Sequence, residues 1–150
     1  MARLSIIDGS AYFYRAFFGS PEDPVGGVRA MIKAALDSLE PDRTVMALDA
    51  GRETFRNQIY PLYKSNRPPA PAGYSHAVPA MTAALIEMGI KSYSVPGYEA
   101  DDIIGTLCAQ SKTDCVILSR DKDLMQLIRA ECAPEAKGAP SCTMWYDEKW

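Results

Sequence analysis

Short apolar runs recur along the chain, each closed by polar turn chemistry: Leu4-Ser5-Ile6-Ile7, Thr44 to Leu48, and Cys115 to Leu118. Runs of this length without strict alternation predict strands buried on both faces of a sheet. Between them the period changes. Val28, Met31, Ile32, Ala35, Leu36 and Leu39 fall at helical spacing and stop before Pro41, which predicts an amphipathic helix. Ala11 to Phe18 is aromatic and apolar and predicts a shorter helix, with Phe13, Phe17 and Phe18 in the core. Gly19 to Gly27, carrying Pro21, Pro24, Gly26 and Gly27, predicts a loop.

Further along, Thr54 opens another helical segment, and four prolines make Pro61 to Gly73 irregular. Val78, Met81, Leu85 and Met88 return to helical spacing, with Gly89 as the stop. Ser92 to Val95 reads as a strand, Glu99 to Gln110 as a helix with Ile103, Ile104, Leu107 and Cys108 facing inward, and Lys122 to Arg129 as a short helix. Ala133 to Pro140 reads as a loop and Thr143 to Tyr146 as a last strand. Strand–helix–strand order calls for parallel pairing with right-handed crossovers, so the chain is expected to be α/β with a mainly parallel central sheet.

Acidic residues sit where such a sheet would gather them. Asp8 closes the first run, Asp49 the second, and Asp121 and Asp123 follow the third; Glu99, Asp101 and Asp102 open a helix. The carboxyl ends of parallel strands form the ligand crevice of an open α/β sheet. Carboxylates crowded there must either protonate or be neutralised by a cation, and a hard divalent metal suits them. Glu99 and Asp102, three apart, share a helix face while Asp101 points elsewhere; Asp121 and Asp123, two apart, point the same way if the turn is extended. Each has an ordinary alternative: acidic residues at 99, 101 and 102 also suit a helix dipole, Asp121 a helix cap and Asp8 a turn.

Composition adds little beyond excluding classes. The 150 residues are 47% hydrophobic and 23% charged, with formal net charge −3; this is ordinary for one globular domain and supplies no global field for nucleic acid, so any such contact needs a local basic patch. Cys108, Cys115, Cys132 and Cys142 form no metal-ligand spacing; Cys108 and Cys115 read as core thiols. With no bilayer-spanning stretch and no signal sequence, the expectation is a cytoplasmic protein with reduced thiols and no membrane partner. His76, the one histidine, reads as a surface loop residue.

A basic, aromatic segment supplies the local patch. Tyr60-Pro61-Leu62-Tyr63-Lys64-Ser65-Asn66-Arg67 combines rings and cations, the residue types that hold single strands by stacking and phosphate contact. Arg56, Lys64 and Arg67 are the expected phosphate contacts, Arg15 and Arg52 secondary ones, and Tyr14 and Tyr63 the stacking rings. The competing interpretation is a solvated Pro-rich loop with ordinary surface charge.

The segments IIDGSAYFYRAFF, TFRNQIYPLYKSNRP, GYEADDIIGTL and ILSRDKDLMQL resemble, in order and spacing from about Arg3 to Leu127, the 5′-nuclease family. That family includes the 5′–3′ exonuclease domain of bacterial DNA polymerase I, phage 5′-exonucleases and flap endonucleases, enzymes of DNA replication and repair. The resemblance implies a PIN-like three-layer fold, with helices on both sheet faces, as the N-terminal catalytic domain over residues 1–150. It implies two divalent ions, Mg2+ or Mn2+: Asp8, Asp49, Glu99 and Asp101 would serve the first, and Asp101 or Asp102 with Asp121 and Asp123 the second. It implies cleavage of DNA phosphodiesters at 5′ ends, flaps and single-strand/duplex junctions by a two-metal mechanism, with Arg15, Arg56, Tyr63, Lys64 and Arg67 on the DNA.

The family's Gly-Asp-x-x-Asp-Asn-x-Pro-Gly segment and its helix–hairpin–helix duplex-binding part do not occur in these 150 residues. The expected alternatives are therefore a DNA-binding module of the same fold with weak or no turnover, or one half of a split nuclease completed by a second chain. Phosphatase chemistry of the haloacid dehalogenase type would need an aspartate two residues after Asp8, where Ser10 stands. Dinucleotide binding lacks its glycine pattern.

Overall fold

In a computed structural model, which describes residues 2–129 and 140–145, the elements run β1 (Arg3–Asp8), α1 (Gly9–Gly19), α2 (Pro24–Leu39), β2 (Arg43–Leu48), α3 (Phe55–Ile59), α4 (Tyr74–Glu87), β3 (Lys91–Ser94), α5 (Ala100–Gln110), β4 (Asp114–Leu118), a 3-10 helix (Lys122–Leu127) and β5 (Cys142–Trp145). The five described strands form one sheet in the order β3-β2-β1-β4-β5, and every pairing is parallel.

The apolar runs become strands because both sheet faces are covered. Ile7, Met46, Leu48, Val116 and Leu118 pack with α1, α2 and α4 on one face. Ile6, Ala47, Cys115 and Ile117 pack with Ile103, Ile104 and Cys108 of α5 and Leu124 of the 3-10 helix on the other. This is the three-layer arrangement, and neighbouring strand residues alternate between the two cores. The chain winds outward from β1 through β2 to β3, then α5 carries it back across the opposite face to β4. The winding therefore reverses between β1 and β4. A parallel sheet has its crevice at such a point, and Asp8 and Asp121 stand beside it at the ends of those two strands.

Three expectations are corrected by packing. Pro24 to Gly27 is helix rather than loop: Asp23 caps α2 by accepting from Gly26 N at 2.9 Å, with Pro24 in the first turn. A Cβ on Gly26 would lie 2.1 Å from the Asp23 carboxylate, so glycine there serves the cap. His76 lies on α4, exposed, rather than in a loop. Phe18 is 56% exposed, outside the core that Phe13 joins; its ring meets Tyr14 at 4.8 Å between centroids. The loop expected over Ala133 to Pro140 lies, apart from Pro140, outside the described residues, as do Cys132 and Tyr146.

Candidate metal and nucleic-acid site

Asp8 is built into two elements at once. It ends β1 and caps α1, Oδ1 accepting from Ala11 N at 3.3 Å. Its turn-like Asp-Gly-Ser sequence is thus a helix start. Gly9 is required by space: a Cβ there would lie 2.6 Å from Leu48 Cδ2 and 2.9 Å from the Ala47 carbonyl, so only glycine lets α1 begin this close to β2. Ser10 then accepts from Asp49 N at 2.9 Å and holds the end of β2.

Ser119, 1% exposed, ties β1 to β4. Its hydroxyl donates to Asp8 Oδ2 at 2.7 Å and accepts from Asp121 N at 3.1 Å. Ser10 and Ser119 carry no site chemistry in the sequence reading; the one available signal was a serine at the polar end of a buried apolar run. Asp49 reaches across to α5, Oδ1 accepting from Ala100 N at 2.7 Å. Asp121 caps the 3-10 helix, accepting from Asp123 N at 2.9 Å. The turn is therefore helical rather than extended, and Asp123 is exposed.

Asp8, 4% exposed, has its carboxyl pushed up to about 6, chiefly by burial and further by the charges of Asp49 and Asp121, against the hydrogen bonds from Ser119 and Ala11. Asp101 is likewise pushed up to about 6, by burial and then by Asp8, Asp121, Glu99 and Asp49. Four carboxylates from four segments thus act on one another electrostatically. Burial first, with the charges of Asp49 and Asp8 adding, pushes the Tyr74 phenol up to about 12.

Glu99 and Asp102 have the opposite surroundings. Arg56 donates from Nη1 to Glu99 Oε2 and Asp102 Oδ2, both at 2.8 Å, and from Nη2 to Asp102 Oδ1 at 2.7 Å. Lys64 reaches Glu99 Oε1 at 2.7 Å, and Tyr63 donates to Glu99 Oε2 at 3.2 Å. Asp102 also accepts from Glu99 N at 3.0 Å. The Arg56 guanidinium holds the Asp102 carboxyl below its ordinary value. Two of the residues expected on phosphate, Arg56 and Lys64, and two of those expected on metal, Glu99 and Asp102, are thus paired with each other.

The remaining expected contacts divide. Arg67 is exposed. Arg52 donates to the Arg67 and Pro68 carbonyls at 3.4 and 3.0 Å, pinning the Pro-rich loop. Arg15 is half-buried beside the Tyr12 ring, 5.4 Å from its centroid. Tyr14 is 47% exposed and packs edge-on to Tyr74. An open cleft of about 470 Å³ lies beside the paired group, lined by Arg56, Tyr63, Glu99, Asp101, Asp102 and Asp123 among others.

The donor set suits a hard divalent cation, being carboxylate throughout, and Asp8 and Asp101 are crowded by burial and by neighbouring charge. It is not gathered for one, however: among the described residues no three acidic, histidine or cysteine side chains stand close enough to ligate a single ion. Two of the candidates, Glu99 and Asp102, are engaged by protein cations instead. Among the described residues no helix is long and apolar enough to cross a membrane.

Comparison with known proteins follows the same lines. DNA polymerase I of Streptococcus pneumoniae is 38% identical over 141 residues, 83% of this chain and 16% of the polymerase. The 5′-3′ exonuclease of Buchnera aphidicola is 36% identical over 138 residues, 83% of this chain and 48% of that protein. The chain thus spans between a sixth and a half of the relatives it matches. Phage T5 5′-exonuclease with bound zinc superposes with TM-score 0.65 at 18% identity, covering 85% of this chain and 52% of the other. The phage T5 flap endonuclease in complex with DNA and metal ions gives 0.60 at 16%, with the same coverage. At these identities the phage structures establish the fold. The family described as "5'-3' exonuclease, N-terminal resolvase-like domain" matches residues 3–148, and the chain belongs to it.

Proposed function

We propose that this chain is the nuclease domain of a divalent-metal-dependent 5′-nuclease, hydrolysing DNA phosphodiesters at 5′ ends, flaps or single-strand/duplex junctions. The observation that supports the proposal is electrostatic: the charges of Asp49 and Asp121 raise the Asp8 carboxyl, and those of Asp8, Asp121 and Asp49 raise Asp101, around the sheet's switch point. The exonuclease named among its relatives and the flap endonuclease among its structural neighbours favour this reaction class.

In this reading Asp8, Asp49, Glu99 and Asp101 would hold one Mg2+ or Mn2+, and Asp101 or Asp102 with Asp121 and Asp123 would hold a second. The bound ions would supply a nucleophilic water near neutral pH and charge stabilisation for the leaving oxygen. The chain's own residues do the rest. Ser119 and Ala11 N orient the Asp8 carboxylate, and Ala100 N orients Asp49. Arg56 lines the cleft, Lys64 pairs with Glu99 on its wall, and with exposed Arg67 they would serve as phosphate contacts; Arg15 stands near Asp8, whose charge it feels. Tyr63 and Tyr14 offer ring faces for bases. Free, buried Cys108, Cys115 and Cys142 suit a cytoplasmic location.

The test is cleavage of a 5′-labelled flap or single strand in Mg2+ or Mn2+, with Asp121→Ala as control. Cutting that the control lacks supports the proposal. Junction binding in Ca2+ without cutting in either metal would assign the chain to the binding-module alternative, and cutting restored by a second chain would assign it to a split enzyme.

A further inference from the structure

Two features place the Arg56–Lys64 pair under control of the fold. Thr54 and Asn57 cap the short α3: Thr54 N donates to Asn57 Oδ1 at 2.9 Å, while Asn57 Nδ2 donates to the Tyr63 carbonyl at 3.1 Å. One amide thereby holds both the helix bearing Arg56 and the turn bearing Lys64. Lys64 itself has φ 53°, a left-handed backbone that non-glycine residues adopt when their surroundings hold them there. Its ammonium and the Arg56 guanidinium converge on Glu99 and Asp102 at the start of α5, one residue on either side of the Ala100–Asp101 pair.

We propose that Arg56 and Lys64 form an internal cation latch on Glu99 and Asp102, opened jointly by a divalent cation at the carboxylates and a nucleic-acid phosphate at the freed nitrogens. The inference rests on the nuclease reading for the identity of the two ligands. Four hydrogen-bonded contacts within 2.8 Å occupy the carboxylate oxygens that would face an ion. A metal binding Glu99 or Asp102 therefore competes with a protein cation, and a phosphate engaging Arg56 or Lys64 competes with a carboxylate. Each ligand supplies the partner the other removes. Leaving a part-buried charge unpaired is costly, so binding of either ligand favours binding of the other, and the coupling is reciprocal. Without both, the carboxylates stay neutralised by the protein and are not gathered into a ligating set.

The latch is tested with the full chain and Mn2+ alone, the free ion being read by its electron paramagnetic resonance signal. Arg56→Gln tightens Mn2+ binding by about fivefold or more, within the usual range of coupling between sites. Lys64→Gln tightens it less, and Arg29→Gln, which breaks an ion pair with Glu87 outside the site, leaves it unchanged. A second arm measures a 5′-fluorescein oligothymidylate by anisotropy in Ca2+ and in EDTA. The gain in affinity that Ca2+ gives the natural chain shrinks towards none in the Arg56→Gln/Lys64→Gln double variant. Mn2+ affinity unchanged or weakened in both single variants, with circular dichroism showing them folded, would overturn the latch. If Arg56→Gln does not fold, Lys64→Gln decides the matter. Cleavage by the natural chain without the Mn2+ effect sinks the latch and leaves the nuclease reading; the Mn2+ effect without cleavage does the reverse.

Discussion

Asp101 and Asp102 are neighbours in the chain and opposites in environment. Asp101 faces Asp8, Asp49 and Asp121 across the carboxyl ends of the strands, and its carboxyl is pushed up to about 6. Asp102 turns to Arg56 and is held below its ordinary value. One helical residue, about 100° of rotation, separates an acid that burial and like charges make harder to ionise from one that a guanidinium makes easier to ionise. The first kind of site attracts an added cation; the second already has one. The acidic residues therefore form two electrostatic regions that adjoin at Asp101 and Asp102.

The comparison breaks most visibly in catalysis. Asp101→Ala removes a carboxylate from the crowded region and should lower Mg2+-dependent cleavage by on the order of a thousandfold or more, measured on a labelled flap; a loss of only a fewfold would move the reacting centre elsewhere.

The next effect is on stability. Asp8 and Asp101 bind protons more tightly when folded, so the unfolded chain releases them first as pH rises. Stability in EDTA should accordingly fall between about pH 4 and pH 6 and level off above, by up to about 3 kcal/mol from buried Asp8 alone. Asp102 behaves in the opposite sense: its contribution is present above the ordinary carboxylate pKa and is lost as pH falls through its lower folded value. Melting temperatures at pH 4.5 and 7.5 with and without Mg2+ measure the balance, and the ion should remove most of the fall. Asp101→Asn should raise the metal-free melting temperature at pH 7.5 by a few degrees. Asp49, exposed and accepting from Ala100 N, is the weaker candidate for such relief, although crowding in the sequence suggested it equally.

Smaller still is the paired region. Arg56→Ala leaves Glu99 and Asp102 part-buried without their main partner and should destabilise the metal-free fold by about 1–2 kcal/mol at neutral pH. Urea unfolding should show this difference shrinking in acid as the carboxylates protonate. At the bottom of the scale, Lys33→Ala breaks an exposed ion pair with Asp37 at 2.5 Å and should change stability by less than about 0.5 kcal/mol. A larger change there would mean surface pairs matter more than the contrast between the two regions allows.

How much of this was legible beforehand differs by element. The strands around Ile6, Met46 and Ile117 and the helix from Val28 to Leu39 were evident because a both-faces-buried strand and a one-face-buried helix leave different apolar spacings. The helix start at Pro24 was hidden because Gly26 reads as a breaker until the Asp23 cap that needs it is seen. That Asp8 and Asp101 would feel the charges of Asp49 and Asp121 was legible from their places after strands and at a helix start. That Arg56 and Lys64 would turn to Glu99 and Asp102 was not, since more than thirty residues separate the partners.

The amino-acid order by itself determined the α/β alternation, the family, and which residues carry charge to the crevice, because burial period and motif spacing are local properties of the chain. Only the tertiary structure decided how that charge divides. Which carboxylate faces another carboxylate and which faces a guanidinium depends on the angle at which α5 meets α3 and the sheet, and that angle is set by packing among Ile103, Ile104 and the strands beneath them.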